Sequence, residues 1–261
     1  MISREIYIEK ETFLHGLDPR TKLFTLITFF VIILYFEDPL WIAPLSCLVL
    51  AHGLASGSMI NLRPLRYILL ALSVSSIILW NLFANGTTHL FWIVERESLY
   101  YSIGRALVLL SLVVEGVIFL STTRYEELTL GLIRLGLPYR AGFAVSTAFR
   151  MIPMIVASAY AVAQAQRARG LDLDSGNIVK RVKKYLPLLV PVFLSMIRST
   201  NTFVMALESR GFGARKRRTF YLQIGFRKND VLCIACLVLL FAAATYSRMA
   251  GYGAIAGLRR F

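Results

Sequence analysis

Histidine and cysteine are scarce in this chain of 261 residues, at three each, and acidic side chains number 15 against 29 basic ones. His15, His52 and His89 are scattered, with no His-Glu-x-x-His pair and no triad spacing. Cys47, Cys233 and Cys236 all lie in apolar segments. Cys233 and Cys236 share a helix face, but no second pair or histidine cluster accompanies them, so no zinc site is expected. No G-x-x-x-x-G-K-[ST] occurs, which excludes ATP binding through a phosphate loop. Asp172-Leu173-Asp174-Ser175-Gly176-Asn177 hints at a calcium loop, but its glycine is one place early and position twelve is Lys183 rather than glutamate. That segment reads as a turn between helices. No catalytic residue, cofactor or metal ligand is expected.

Charge of either sign is also low, at 17% of residues, while 57% are hydrophobic and the mean hydropathy is +0.63. Apolar surface on this scale needs lipid or a very large core to hide it. No polar linker marks a domain boundary. The stretch up to Arg20, with Arg4, Glu5, Glu9, Lys10, Glu11 and Asp18, shows no cleavable signal pattern. The net charge of +14 is concentrated. Residues 124–228 hold 18 Lys and Arg against 5 Asp and Glu, all but one unit of the excess. A basic region in a membrane protein marks the cytoplasmic side. Nucleic acid is not an expected partner, because the aromatic residues sit in the apolar runs and not among these charges.

Five apolar runs read as spans: Leu23–Phe36, Leu40–Ser56, Tyr67–Ala84, Leu99–Ser121 and Val231–Tyr246. Some fall short of the roughly 20 residues that cross ~30 Å of hydrocarbon, so interfacial neighbours such as Trp41 and Tyr67 must complete them. Arg20 and Lys22 flank the first run, and Arg63 and Arg66 lie between the second and third, whereas Glu37 and Asp38 separate the first and second. The basic ends go inside, which places the amino terminus and Arg124 in the cytoplasm. In this arrangement Arg259 and Arg260 end outside, against the same bias.

The segment between the fourth and fifth runs is the difficult one. Ala141–Ala163 has the length of a span and is mostly apolar, interrupted by Arg150 and Pro153. If it crossed, residues 164–184 would lie outside with Arg167, Arg169, Lys180, Arg181, Lys183 and Lys184 against only Asp172 and Asp174. The next run, Tyr185–Ile197, is too short to span comfortably, and its Pro187 and Pro191 would kink or break a helix. Both therefore read as long cytoplasmic helices, preceded by a short one, Glu126–Leu135, that Gly136 and Pro138 stop. The expected fold is an all-α integral membrane protein of the cell membrane. It has about five transmembrane helices plus two long and one short cytoplasmic helices. Residues 1–123 carry the first four spans, 124–228 the cytoplasmic helices and 229–261 the last span.

The two long helices end alike, at Ala168-Arg169-Gly170 and at Ser209-Arg210-Gly211. Glycine just past a helix is an ordinary C-cap, and arginine in the last turn suits the negative end of the helix dipole. Capping explains each triplet by itself. It does not explain why two successive apolar helices of one basic region end the same way. The rigid donor fork of arginine is also a good anchor for a soluble subunit. Asp18-Pro19 reads as an N-cap with proline at the first helical position, and Arg20 and Lys22 as headgroup anchors. Glu115 lies in the fourth run, ~15 Å of helix rise from Arg105, too far for the two to pair.

Leu17-Asp18-Pro19-Arg20-Thr21-Lys22-Leu23, Ser121-Thr122-Thr123, Leu135-Gly136-Leu137-Pro138 and the two arginine-glycine helix ends occur in the order found in the T component of energy-coupling factor (ECF) type ABC transporters. The chain resembles that component, the transmembrane coupling subunit, over nearly its whole length. The resemblance departs in two places: Arg124-Tyr125-Glu126 follows the Thr-Thr pair where a proline is expected, and Ser209 stands where the first triplet has Ala168. It implies that the cytoplasmic helices are coupling helices. Ala168, Arg169, Gly170, Ser209, Arg210 and Gly211 would dock two ABC-type ATPase subunits, and a substrate-binding membrane subunit would capture a vitamin or metal ion. The chain itself would be no enzyme, with partners and the lipid bilayer supplying the rest. A rival reading, a membrane enzyme acting on an anionic lipid or polyprenyl phosphate, needs acidic ligands near the basic cluster, where only Asp172 and Asp174 stand.

Overall fold

The computed structural model describes residues 12, 14–83, 89–91, 94–171, 177–214 and 225–253. The helices are α1 (Pro19–Tyr35), α2 (Pro39–Ser56), the single-turn α3 (Met59–Leu62), α4 (Arg66–Phe83), α5 (Arg96–Thr122), α6 (Tyr125–Arg134), α7 (Tyr139–Ala168), α8 (Ile178–Ser209) and α9 (Lys228–Met249). Two short strands, β1 (His89–Phe91) and β2 (Val94–Glu95), pair antiparallel between α4 and α5. The chain divides into two compact units, Met1–Leu137 with Ile224–Phe261, and Pro138–Gln223.

The first unit is a helical bundle. Asp18 caps α1 by accepting the Arg20 N–H at 3.0 Å, and Asp38 caps α2 by accepting that of Leu40 at 2.9 Å, each followed by proline in the first turn. α5 packs against α1, α2 and α4, and α1 also lies against α9 and α6. The dry centre is made by Phe29, Ile32, Ile33 and Phe36 of α1 and its C-cap, Ile42, Leu45 and Val49 of α2, Val108, Val114 and Ile118 of α5, and Leu237 and Ala244 of α9. α1 and α9 run in the same direction. At their starts the Asp18 N–H donates to Asp230 Oδ1 at 2.8 Å, and at their ends the Glu37 N–H donates to the Gly253 carbonyl at 2.9 Å. The second end carries a ring of aromatics: Trp41 stacks on Phe36 at 5.7 Å and meets Tyr252 at 5.6 Å.

The second unit is α7 and α8, joined through residues that include 172–176, the Asp172–Asn177 turn of the sequence, most of which lies outside the described residues. The helices touch midway, where the Ser158 and Ser195 hydroxyls are 3.0 Å apart, and again where Phe143, near the start of α7, meets Phe212 just past α8 at 4.4 Å. They therefore run antiparallel. α8 is continuous over 32 residues, with Pro187 and Pro191 inside it. The expectation that Pro187 and Pro191 kink or break this segment is corrected to that extent: the helix is not broken. Being four apart, both missing N–H groups fall on one face, and the long flanks carry the helix through.

Six helices among the described residues are long and apolar enough to cross a membrane: α2, α4, α5, α7, α8 from Lys184, and α9. α1, at 17 residues, rises about 26 Å, close to the hydrocarbon thickness. Apolar side chains lie exposed along nearly all of them, including Ile68, Leu79 and Leu82 of α4 and Leu232 and Leu239 of α9. The chain is an all-α integral membrane protein.

Candidate coupling interface

The two arginine-glycine triplets adopt one geometry. After α7, the Leu171 N–H reaches back to the Gln166 carbonyl at 3.0 Å while Gly170 holds φ +88°. After α8, the Phe212 N–H reaches the Leu207 carbonyl at 2.9 Å while Gly211 holds φ +72°. Both are six-to-one closures of the Schellman type, which require a left-handed residue at the glycine. A Cβ on Gly170 would meet nothing within 4 Å, and one on Gly211 only Ala214 at 3.8 Å, so conformation and not space selects glycine. Each closure turns the chain away and leaves the preceding arginine at the tip.

Arg169 and Arg210 are exposed, and neither makes an ion pair among the described residues. Ala168, Gly170, Ser209 and Gly211 are exposed beside them. Ser209 turns its hydroxyl back to donate to the Ala206 carbonyl at 3.0 Å, so the replacement of alanine by serine adds no free donor to the tip. The structure does not bring the two triplets together. Phe212 packs on Tyr139 and Phe143, which puts Arg210 beside the start of α7, and from Phe143 to Arg169 is about 40 Å of helix rise. The paired motif is one tip at each end of an antiparallel pair.

Two of the other three motifs, residues 17–23 and 121–123, meet in the bundle. Lys22 is buried, 7% exposed, and its ammonium donates to the Thr122 carbonyl at 2.8 Å and the His15 carbonyl at 2.9 Å, with Glu127 Oε2 at 3.8 Å. It closes the last turn of α5 and reaches the first turn of α6, so the reading of Lys22 as a headgroup anchor is corrected: its head is spent inside the protein. Asp230 accepts from the backbone of both Asp18 and Arg227, tying the start of α9 to the start of α1. α6 lies close on α1, since a Cβ on Gly131 would stand 3.2 Å from Pro19 Cβ. Arg20 stays at the rim, its guanidinium 5.5 Å from the Phe226 ring. Arg124, where the family pattern leads one to expect proline, has φ −74° and ψ 143°, a conformation that proline itself adopts.

Glu115 finds its partner on α2: His52 Nδ1 lies 3.2 Å from Oε2, and the imidazole stacks on Phe29 at 6.2 Å. Its partner could not be named from the sequence, because α2 and α5 pair across 63 residues of chain. No group of three or more His, Cys, Asp or Glu is placed to hold a metal ion among the described residues. Asp172 and Asp174, the acids that the enzyme reading needs, lie outside those residues.

The chain is a multi-pass helical membrane protein that exposes cationic helix ends. The chain belongs to the CbiQ family, whose model, described as cobalt transport protein, matches residues 10–221. It is similar to the energy-coupling factor transporter transmembrane protein EcfT of Lactococcus lactis, 30% identical with 90% of this chain and 93% of the relative covered. The proteins of the same name from Limosilactobacillus fermentum (29% identical, covering 90% and 92%) and Thermosediminibacter oceani (28%, covering 93% and 96%) are similarly related. The role is transport, as a T component, and not catalysis.

Proposed function

We propose that this chain is the coupling subunit of an ECF-type importer, with its amino terminus and the α7–α8 pair in the cytoplasm. Arg169 and Arg210 each dock one ABC-type ATPase subunit, and the membrane helices meet a substrate-binding subunit that captures a vitamin or metal ion. The observation that carries this reading is the pair of exposed arginine tips of one closure geometry, about 40 Å apart along one helix pair. One tip serves one partner, and two separated tips suit two. ATP-driven closure of the ATPases would draw on both tips at once, and rigid helices would carry that displacement toward the bilayer. The partners hydrolyse the ATP.

The test is uptake and ATPase co-purification for Arg169→Ala, Arg210→Ala and the double variant, with Arg215→Ala from the adjacent basic run as control. Loss of a desolvated, hydrogen-bonded charge contact costs about 2–5 kcal/mol of binding, roughly 30-fold or more in affinity. The double variant should insert at normal abundance and lose both co-purification and transport. Lysine should rescue only in part, since it keeps the charge and loses the planar fork. Normal transport by the double variant would end the docking reading, and equal damage from Arg215→Ala would assign the effect to bulk charge.

A further inference from the structure

At the aromatic end of the bundle, the cation of Arg105 is held by aromatic side chains and by no acid among the described residues. Arg105 lies on α5, well inside its apolar stretch. Helical side chains lean toward the N-terminus of their helix, so the Arg105 side chain climbs one turn toward Tyr101. There its Nε donates to the Tyr101 hydroxyl at 2.8 Å, and the guanidinium carbon lies 4.9 Å from the Tyr101 ring and 5.7 Å from the Trp80 ring. Those two rings meet edge to face at 5.4 Å.

The level of this cluster is fixed by its neighbours. Trp80 is in the last turn of α4, and the Tyr100 hydroxyl donates to Asp38 Oδ1 at 2.8 Å at the cap of α2. Trp41 and Tyr252 complete the ring at the same end. Tryptophan and tyrosine gather where a membrane protein crosses the headgroup region, so the guanidinium stands at phosphate depth. Its Nε is used. Its two terminal amino groups have no partner among the described residues, and none of the three ion pairs there includes it. Asp38 is taken by Tyr100 and Leu40, and Glu115 by His52. What remains is a flat fork of donors, oriented by one hydrogen bond and an aromatic wall, with no carboxylate among the described residues to neutralise it. Its complement is a phosphate oxyanion held two-pronged.

We propose that Arg105, Tyr101 and Trp80 form a binding site for the phosphate of a membrane phospholipid in the leaflet at this end of the bundle. Inorganic phosphate shares the chemistry. A lipid is favoured because Leu79, Leu82 and Phe83 of α4 and Leu99 and Ile103 of α5 leave exposed apolar surface for acyl chains on these two helices. The site depends on neither the docking reading nor the orientation of the bundle.

The test uses the full chain, purified in mild detergent, stripped of lipid and titrated with phosphatidylglycerol under native mass spectrometry. The tightest-bound phosphatidylglycerol should weaken about tenfold in Arg105→Gln, the size of one lost charge-assisted contact. Tyr101→Phe removes the hydroxyl that orients the fork and should weaken it by a smaller factor, which keeps the test open should Arg105→Gln fold poorly. Diacylglycerol, with the same chains and no phosphate, should not be retained, and millimolar inorganic phosphate should not displace the lipid. Unchanged affinity in both variants, or equal retention of diacylglycerol, would overturn the site. Displacement by inorganic phosphate would overturn its assignment to a lipid.

Discussion

Lys22→Met separates a buried clamp from a membrane anchor. Methionine keeps the length and apolar stem of lysine and deletes the ammonium. In the folded chain that deletion orphans the buried carbonyl of Thr122 and the part-buried carbonyl of His15. An unsatisfied buried acceptor costs about 1–3 kcal/mol, and the part-buried His15 carbonyl adds less, so the pair amounts to about 2–4 kcal/mol. The Glu127 contact adds little, because at 3.8 Å its carboxylate is 29% exposed and screened. Two residues earlier, Arg20→Met removes a cation–π contact with Phe226 at 5.5 Å and a long ion pair with Asp18 at 4.0 Å, about 0.5–1 kcal/mol together. At ~2–4 °C per kcal/mol for a chain of this size, Tm should fall by about 5–15 °C for Lys22→Met and by no more than ~4 °C for Arg20→Met. Thermal unfolding of the purified chain in detergent, followed by the monodisperse peak on size exclusion, reads both. Headgroup anchoring predicts equal, small losses, since both cations would face the same phosphates. Equal losses would therefore refute the clamp.

Two further outcomes follow from other contacts. Glu115→Leu should destabilise the bundle by about 1–3 kcal/mol and the double variant with His52→Leu by less than the two single losses together, because removing one partner leaves the other unsatisfied; strictly additive losses in thermal unfolding would deny the pairing. In a chain cleared of Cys47, Cys233 and Cys236, single cysteines at Asn177 and Ser209 should resist an impermeant maleimide in intact cells and react after permeabilisation, and labelling from outside would place α7–α8 on the wrong side for the proposed docking.

What could be read from the sequence was what is local. Asp18-Pro19 starts α1 because a capping carboxylate and a fixed φ act within two residues, and the glycines after Arg169 and Arg210 announce closures that involve only six. The apolar runs located α2, α4, α5 and α9 to within a few residues of their ends. The contacts that assemble those elements were not legible. Lys22 meets Thr122 across 100 residues and Glu115 meets His52 across 63, and neither spacing leaves a trace in composition or period. The unbroken course of α8 through Pro187 and Pro191 was not legible, because it depends on the long flanks of the helix. The separation of the arginine tips was hidden as well, since only the antiparallel pairing of α7 and α8 sends Arg169 and Arg210 to opposite ends of one structure.

The bundle also constrains what residues 123–227 can do. α5 ends where Lys22 holds its last carbonyl, at the start of α1, and α9 begins at that same end, where Asp230 receives the Asp18 N–H. The chain leaves the bundle and re-enters it on one face. α7 and α8 are both long and apolar enough to cross, but an even number of crossings is required, so both do or neither does. If both crossed, the turn between them would be carried over with Arg167, Arg169, Lys180, Arg181, Lys183 and Lys184 against Asp172 and Asp174. Short loops of that charge are the ones that membrane insertion retains in the cytoplasm. Length alone therefore favours seven crossings and charge favours five. An internal proline does not decide, since α2 holds Pro44 and still has the length and composition of a span. The proposed docking follows the charge and keeps both α7 and α8 on the cytoplasmic side.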